Sequence, residues 1–482
     1  MKKLYVIPVI FILTLTGCTN KNSDTTSSES TTDTSESTPI PEDKDYYFGG
    51  EEYLGRQYYL NHIGDIFSVW QEYQGKGVTV AVIDKAFDAY HEEFYDYNHE
   101  TSKVLSTSAS FTYDGSKVTT SIGVDKVHDL SDSHGTFCAG VVAASRNNKG
   151  VIGVAPEANL LLLKVDGKPK SICEAFKYAA DKGAKVITIS IGSYYNYDGD
   201  LVNDGSDLST VFNDSINYCI NKGTVVVSAG GNGGLDNQPN EYTWPGASPN
   251  VIGCGGLATN SSGEIWSGSS YNSSKQYQFI DVLAPSENMF NICNYKNGSG
   301  KQVLYDGGWN GTSFASPIVA GLAALYFEKY PNKGAKDFES DLYKSCHAIT
   351  TSSIANKDQL GYGRVDASKL LNINMNRKVK VRASSKWSEM YMYAWNSDLS
   401  LNKELSSWPG TKMKKVSEHE NEWFEYELNL KDYDSIVFTN GTEKTVDLLA
   451  SSFSYAGVYV FNTSYQNYKE NGLYVGKYRI FE

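Results

Sequence analysis

The sequence predicts an α/β domain, a parallel sheet with helices on both faces, followed by a small all-β antiparallel sandwich. Four short, almost continuous apolar runs, Val78–Ile83, Leu160–Val165, Val186–Ile191 and Thr224–Ala229, alternate with stretches of helical period such as Ser171–Lys182 and Ser209–Asn221. Strands that are apolar on both faces belong to a sheet covered on both sides, and strand–helix–strand repetition gives right-handed crossovers. After residue 375 the pattern changes. Short strands at Glu389–Ala394, Trp423–Leu428, Ser435–Thr439 and Val458–Phe461 are separated by polar turns with no helical period, which makes a separate sandwich of residues 376–482.

At the N-terminus, Lys2 and Lys3 precede an apolar run from Leu4 to Leu15, which leads into Thr16-Gly17-Cys18. Residues 1–18 therefore form a secretory signal, too short to span a membrane comfortably. The ending Leu15-Thr16-Gly17-Cys18 resembles the bacterial lipobox, whose cysteine is lipidated. That resemblance implies lipid attachment at Cys18 and a mature chain held on the outer face of the cell membrane without crossing it. Residues 19–45 are Ser, Thr, Asp and Glu with hardly an apolar side chain, so nothing offsets the entropy of ordering them. They form a disordered tether, and residues 46–375 form the α/β domain.

Composition narrows the function. Lys+Arg number 43 against 56 Asp+Glu, a net charge of −13 with no basic patch, which excludes a nucleic-acid partner. Setting Cys18 aside leaves six cysteines, in no CxxC or Cys/His arrangement that suggests zinc. Disulfides and buried thiols both remain open.

Four residues carry the chemistry. Asp84 closes the first apolar strand, and His134 opens a run of small residues that forms a closely packed helix. Asn232 lies in the glycine-rich turn Gly230–Gly234, where a free backbone can present its amide. Ser313 follows Asn310-Gly311-Thr312 at the first turn of an apolar helix, with Pro317 tolerated near the start. A hydroxyl there sits at the positive end of the helix dipole. Acyl transfer needs a hydroxyl nucleophile, an imidazole to take its proton, a carboxylate to orient the imidazole and a donor for the oxyanion. Ligands of such sheets bind at the carboxyl ends of the strands, where these residues fall.

Seven stretches in order, Val80–Asp84, His134–Thr136, Gly153–Pro156, Ala229–Asn232, Trp244–Gly246, Leu283–Pro285 and Gly311–Pro317, resemble the subtilisin-like serine peptidases over roughly residues 57–371. The resemblance implies a subtilisin-like sheet and a peptide hydrolase in which Ser313 is the nucleophile, His134 the general base and Asp84 its orienting carboxylate. Asn232 would complete the oxyanion hole. A substrate strand would pair with Ser190-Ile191-Gly192, and the first specificity pocket would be walled by that segment and Ala229-Gly230-Gly231, with Thr243 near its floor. No cofactor is required. A calcium ion would be held by the loop Ser145–Val151, through Asn147, together with Glu93, hard oxygen donors that suit it.

Three residues depart from the family pattern. Lys85 follows the aspartate where the family has Thr or Ser; its ammonium either pairs with Asp84 or points away, since side chains alternate along a strand. Phe137 and Phe314 replace residues usual beside His134 and Ser313, as packing exchanges. The length before the match leaves no room for an inhibitory propeptide, which predicts unaided folding without self-maturation. In the tail, Tyr391–Asn396, Trp408–Met413, Trp423–Tyr426 and Val437–Gly441 resemble family 26 starch-binding modules, with Lys444 where that family has glutamine. This implies a platform of Tyr391, Tyr393 and Trp408 for an α-glucan, alternate residues of a strand sharing a face. The partners are thus a peptide substrate, a membrane through the lipid, and a glucan. The alternative is an inactive scaffold that binds peptides or glycans at the surface, with Lys85 as the feature favouring it.

Overall fold

The computed structural model describes residues 52–374, apart from 97, 197–207, 235–240, 260–263, 273–277 and 350–356. It also describes residues 376–480, apart from 385–386, 397–402, 419–420, 430–431, 434, 446, 450–456, 463–468, 471–472 and 475. Cys18 and the tether lie outside the described residues. The chain divides into two compact units, Glu51–Ile373 and Asn374–Glu482.

The first unit is built on eight strands: β1 (Thr79–Asp84), β2 (Ala109–Tyr113), β3 (Val118–Ile122), β4 (Asn159–Val165), β5 (Val186–Ile189), β6 (Val225–Ala229), β7 (Ile252–Leu257) and β8 (Val282–Pro285). Their order across the sheet is β8-β7-β6-β5-β1-β4-β2-β3, and β9 (Met289–Lys296) and β10 (Gln302–Trp309) form a separate antiparallel hairpin. All neighbours are parallel except β2 and β3, which form an antiparallel hairpin at one edge. The sheet is therefore mixed at that edge, where the sequence predicts parallel strands throughout. β3 reads Val-Thr-Thr-Ser-Ile and is half-exposed or exposed throughout, so it has no two-sided apolar signature.

Helices cover both faces. On one, α1 (His134–Ala143) packs against α4 (Thr312–Lys329); on the other, α2 (Pro169–Asp181) packs against α3 (Leu208–Asn221). Side-chain alternation sends Ala81, Ile83, Leu161, Leu163, Ile187 and Ile189 toward α2 and α3, where they meet Phe176 and Phe212. α1 and α4 are buried along nearly their whole length, which their small residues allow. A Cβ on Gly321 of α4 would lie 2.6 Å from the Val154 Cβ. β1 sits between β4 and β5, where the strand order reverses, and its carboxyl end opens onto the crevice this creates.

The second unit is a two-sheet sandwich. One sheet holds β11 (Asn376–Ser384), flanked by Asn421–Asn429 and Gly457–Asn462; the other holds β12 (Tyr391–Trp395), flanked by Thr411–Lys412 and Ser435–Thr439. Val379 and Val381 face Met392, Ala394 and Phe438 across the core. β11 pairs in parallel with Gly457–Asn462, an exception to the antiparallel expectation.

Asp281, half-buried just before β8, accepts from Gly253 N at 2.8 Å and meets the Tyr343 hydroxyl. Burial pushes its carboxyl from 3.8 to about 6; Glu339 adds to this, while Gly253, Tyr343 and Lys336 oppose it. An acid raised in the folded state favours its neutral form. The associated stability is present below 3.8 and is lost as pH rises through about 6, a swing of at most ~3 kcal/mol. Asp281→Asn is expected to flatten the fall of melting temperature across that window, measured by thermal melts at stepped pH. An unchanged slope would refute the assignment.

Candidate active site

Asp84, 2% exposed at the end of β1, points its carboxylate at the first turn of α1. Oδ2 lies 2.8 Å from His134 Nδ1, and Oδ1 accepts the backbone N–H of Lys85 at 2.8 Å. The close approach depends on Gly135, because a Cβ there would lie 2.3 Å from Ala86 O and 2.7 Å from the Asp84 Cβ. Asp132 Oδ1 accepts the His134 backbone N–H at 2.9 Å and so anchors the start of the helix. Burial lowers the imidazole's pKa. The charge and hydrogen bond of Asp84, with Asp132, outweigh that and hold it above its ordinary 6.5, against a smaller opposing pull from Lys85.

Ser313 is the second residue of α4. Its Oγ donates to Ser190 O at 3.2 Å, while His134 Nε2 is buried without a hydrogen-bond partner. Pro317 has no N–H to offer the carbonyl four residues before it, that of Ser313. Ser190 Oγ donates to that carbonyl at 2.8 Å and Cys138 Sγ at 3.4 Å. The proline thus frees the carbonyl that ties the Ser313 backbone to the neighbouring strand and helix.

Asn232 faces the same point. Its Oδ1 accepts from Thr312 N and Thr312 Oγ1, both at 2.9 Å, which settles the orientation of the amide. Thr312 Oγ1 in turn accepts Gly231 N at 3.0 Å. A Cβ on Gly311 would lie 3.5 Å from Asn232 Nδ2 and 3.7 Å from Ser313 N. The missing side chain leaves a space bordered by two N–H donors, which suits an oxyanion.

A buried carboxylate–imidazole pair, a helix-start serine and paired donors constitute the machinery of acyl transfer. Residues 75–367 match the model of the subtilase family, Peptidase S8. The chain is a subtilase. It is 30% identical over 277 residues to subtilisin DY of Bacillus licheniformis, covering 56% of this chain and 84% of that one. It is 32% identical over 271 residues to subtilisin E of Bacillus subtilis (strain 168), covering 54% of this chain and 58% of that one. A protease from Pseudoalteromonas arctica PAMC 21717 superposes with a TM-score of 0.52 at 25% identity, over 67% of this chain and 98% of the other. Fervidolysin from Fervidobacterium pennivorans shares the fold, with a TM-score of 0.53 at 19% identity over 81% of this chain and 56% of the other. Residues 379–449 match starch-binding module 26.

In this subtilase Lys85 does not pair with the Asp84 carboxylate. Its Cε lies 3.2 Å from where a Cβ on Gly167 would stand, so the side chain runs along the β4–α2 loop. Phe137 stacks on Trp309 at 4.9 Å and touches Phe314 at 4.5 Å, so the two unusual aromatics pack on each other. Ser190, Ala229, Gly230 and Gly231 are buried and Ile191 and Gly192 half-buried. Gly192 packs over Thr243, whose Cγ2 would be 3.0 Å from a Cβ there. The roles of Gly311, Thr312 and Asp132 escape the sequence reading, which weighs charged and nucleophilic residues over what holds them.

Glu93 is buried, and the loop 145–151 closes on it: Ser145 N donates to its backbone oxygen and Val151 N to its Oε1 at 3.0 Å. Tyr305 OH also donates to Oε1 at 2.8 Å, Asn147 is buried, and the Ser145 hydroxyl is buried with no hydrogen-bond partner. This donor set of carboxylate, amide and hydroxyl oxygens fits a hard cation. All six described cysteines are free thiols. In the second unit Tyr393 contacts Trp408 at 5.6 Å and Trp395 at 5.5 Å, whereas the Tyr391 hydroxyl turns to Glu389 at 3.2 Å. Trp395 joins this row of rings unannounced by the sequence reading, although it shares the strand face.

A general base at His134 would need its neutral form, so activity is expected to rise with pH through a pKa above 6.5. Lys85 lowers that pKa and Asp132 raises it. Lys85→Ala should move the acidic limb of the kcat/KM profile to higher pH, and Asp132→Asn to lower pH. Limbs that do not separate in that order would contradict the electrostatics.

Proposed function

We propose that this subtilase is a secreted, lipid-anchored serine endopeptidase acting through Asp84, His134 and Ser313 with an acyl-enzyme intermediate. The observation that carries the reading is the buried 2.8 Å Asp84–His134 hydrogen bond beside a serine in the first turn of a helix. The substrate backbone adds along Ser190–Gly192. Its N–H takes the Ser190 carbonyl on which Ser313 Oγ rests, and the released hydroxyl turns to His134 Nε2. Such catalytic hydrogen bonds tighten only once substrate is bound.

Ser313 Oγ then attacks the scissile carbonyl as its proton passes to Nε2. Asp84 keeps Nδ1 protonated and stabilises the imidazolium. The developing oxyanion enters the space beside Gly311, between Asn232 Nδ2 and Ser313 N. His134 returns the proton to the leaving amine, and water repeats the sequence to release the acyl group. Export and attachment at Cys18 are supported by Lys2, Lys3, the apolar run and the lipobox-like ending. No helix among the described residues is long and apolar enough to cross a membrane. Calcium, when bound, would brace the loop through Glu93 and Asn147, with no part in the chemistry.

A fluorophosphonate probe should label the full chain at Ser313 and fail to label Ser313→Ala. Asn232→Ala should keep the fold and lower turnover by about 10²–10³, the scale known for subtilisin's own amide donor. A wild-type protein that resists the probe would sink the reading.

The tail is proposed to hold α-glucan on Tyr393, Trp395 and Trp408. Support comes from the match to starch-binding module 26 and from Trp408, which is 50% exposed at the end of that aromatic row. Amylopectin in a native gel should retard the wild type. Trp408→Ala should weaken binding by on the order of 2 kcal/mol, the scale of an aromatic anchor. Equal mobility with and without the polymer would dismiss the glucan.

A further inference from the structure

Lys85 follows Asp84 at the carboxyl end of β1, and its side chain leaves that pair to lie against the turn after β4. Its Nζ stands 3.8 Å from where a Cβ on Gly167 would be. The residue is half-buried, yet among the described residues its ammonium has neither a hydrogen bond nor an ion pair. The carboxylates of the same rim are engaged elsewhere. Asp84 takes His134 and the Lys85 backbone N–H, and Asp129 takes Lys164 at 2.6 Å. Asp166 takes the backbone N–H groups of Tyr113 and Lys168 and the hydroxyl of Ser171. A partly desolvated ammonium gives up hydration that only an opposite charge restores. At the rim of a cleft, that charge can arrive with a ligand.

The strand order says which part of a bound peptide meets it. Ser190–Gly192 continues β5, with the end of β6 on one side and the ends of β1 and β4 on the other. A peptide laid along Ser190–Gly192, as proposed above, sends successive side chains to opposite sides. The residue before the scissile bond enters the pocket beside Ala229–Gly231, on the β6 side. The residue before that one points the other way, over the ends of β1 and β4, and meets Lys85.

We propose that Lys85 is a specificity residue that selects peptides with Asp or Glu at the second position before the scissile bond. A carboxylate there forms a charge-assisted hydrogen bond of about 2.7–2.9 Å with Nζ. Asp84 does not repel it strongly, being 2% exposed with both oxygens occupied. The chain's net charge of −13 disfavours acidic peptides at long range, so the preference arises from this local contact. Lys85 also lowers the pKa of His134. That influence vanishes above the acidic limb, where the imidazole is neutral with every substrate, whereas the choice between substrates persists.

The selection of cleavage sites rests on the peptidase reading above, so the test measures turnover and binding separately on the full chain. Fluorogenic peptides differing only in Glu, Gln or Lys at that position are compared at a pH above the acidic limb. Wild type should show a kcat/KM about tenfold higher for Glu than for Gln, between the worth of an exposed ion pair and that of a buried charged hydrogen bond. Lys85→Gln should bring the ratio to about one, and Lys85→Glu should favour the Lys peptide. Hydrolysis with no Glu preference, or a preference that survives Lys85→Gln, overturns the proposal and leaves the peptidase standing. If wild type cleaves none of the peptides, the peptidase reading falls and binding decides this one. Ser313→Ala should then hold the Glu peptide about tenfold more tightly than the Gln peptide by fluorescence anisotropy, and Ser313→Ala/Lys85→Gln should not. Equal binding of the two peptides by Ser313→Ala would overturn the assignment of Lys85.

Discussion

The contact on which the rest of the site depends is the hydrogen bond between Asp84 and His134. A carboxylate almost wholly removed from water loses several kcal/mol of solvation, recovered only if each oxygen finds a donor. One oxygen has the imidazole and the other the Lys85 backbone N–H, so the charge is met without a second side chain. That arrangement requires the first turn of α1 to lie against the end of β1, closer than any side chain at Gly135 would permit. The position of Asp84 is therefore set by backbone packing, and the lysine after it supplies an amide where an ammonium would have competed.

Ser313 is held by an independent device that meets the first at one point. Pro317 leaves the Ser313 carbonyl without its helical donor, and Ser190 and Cys138 provide replacements from β5's extension and from α1. Thr312 links the same helix start to Gly231 and Asn232. Ser313 is thus clamped through its carbonyl by two donors and through the preceding Thr312, while its hydroxyl is held only by the 3.2 Å bond to Ser190 O. Rigidity of frame with freedom of one torsion is what electrostatic preorganisation requires: the donors are in place before charge develops, and only the reacting atom moves.

Much of this was legible in the chain. Val78–Ile83, Leu160–Val165 and Thr224–Ala229 announce themselves because strands buried on both faces can carry almost nothing polar, and polar residues at their ends are then conspicuous. The edge hairpin β2–β3 was not legible: a strand with one partner and one wet face reads as Thr and Ser, like a loop. Contacts between distant residues were also hidden. That Cys138 faces the same way as His134 follows from helical spacing, but its nearness to Asp84 follows only from how α1 meets β1. The parallel pairing of β11 with Gly457–Asn462 depends on the path of the intervening chain, about which local alternation says nothing.

The same logic bears on the aromatic face of the second unit. Along β12, Met392 and Ala394 are buried while Tyr391, Tyr393 and Trp395 are half-buried on the other side. A strand whose outward residues were selected for solubility alone would carry charge there, so the row of rings marks a surface kept for contact. Lys444 lies 5.8 Å from the Trp408 ring centre, where the family has glutamine. A cation over an exposed indole contributes about 0.5–1 kcal/mol, less than an anchoring aromatic gains on binding. In the proposed glucan complex a sugar ring would therefore displace the ammonium from that face, and the lysine, once swung aside, would still offer three donors to the sugar's hydroxyls. Under the glucan reading proposed above, the substitution would change how the ligand is held at the edge and leave the row of rings intact.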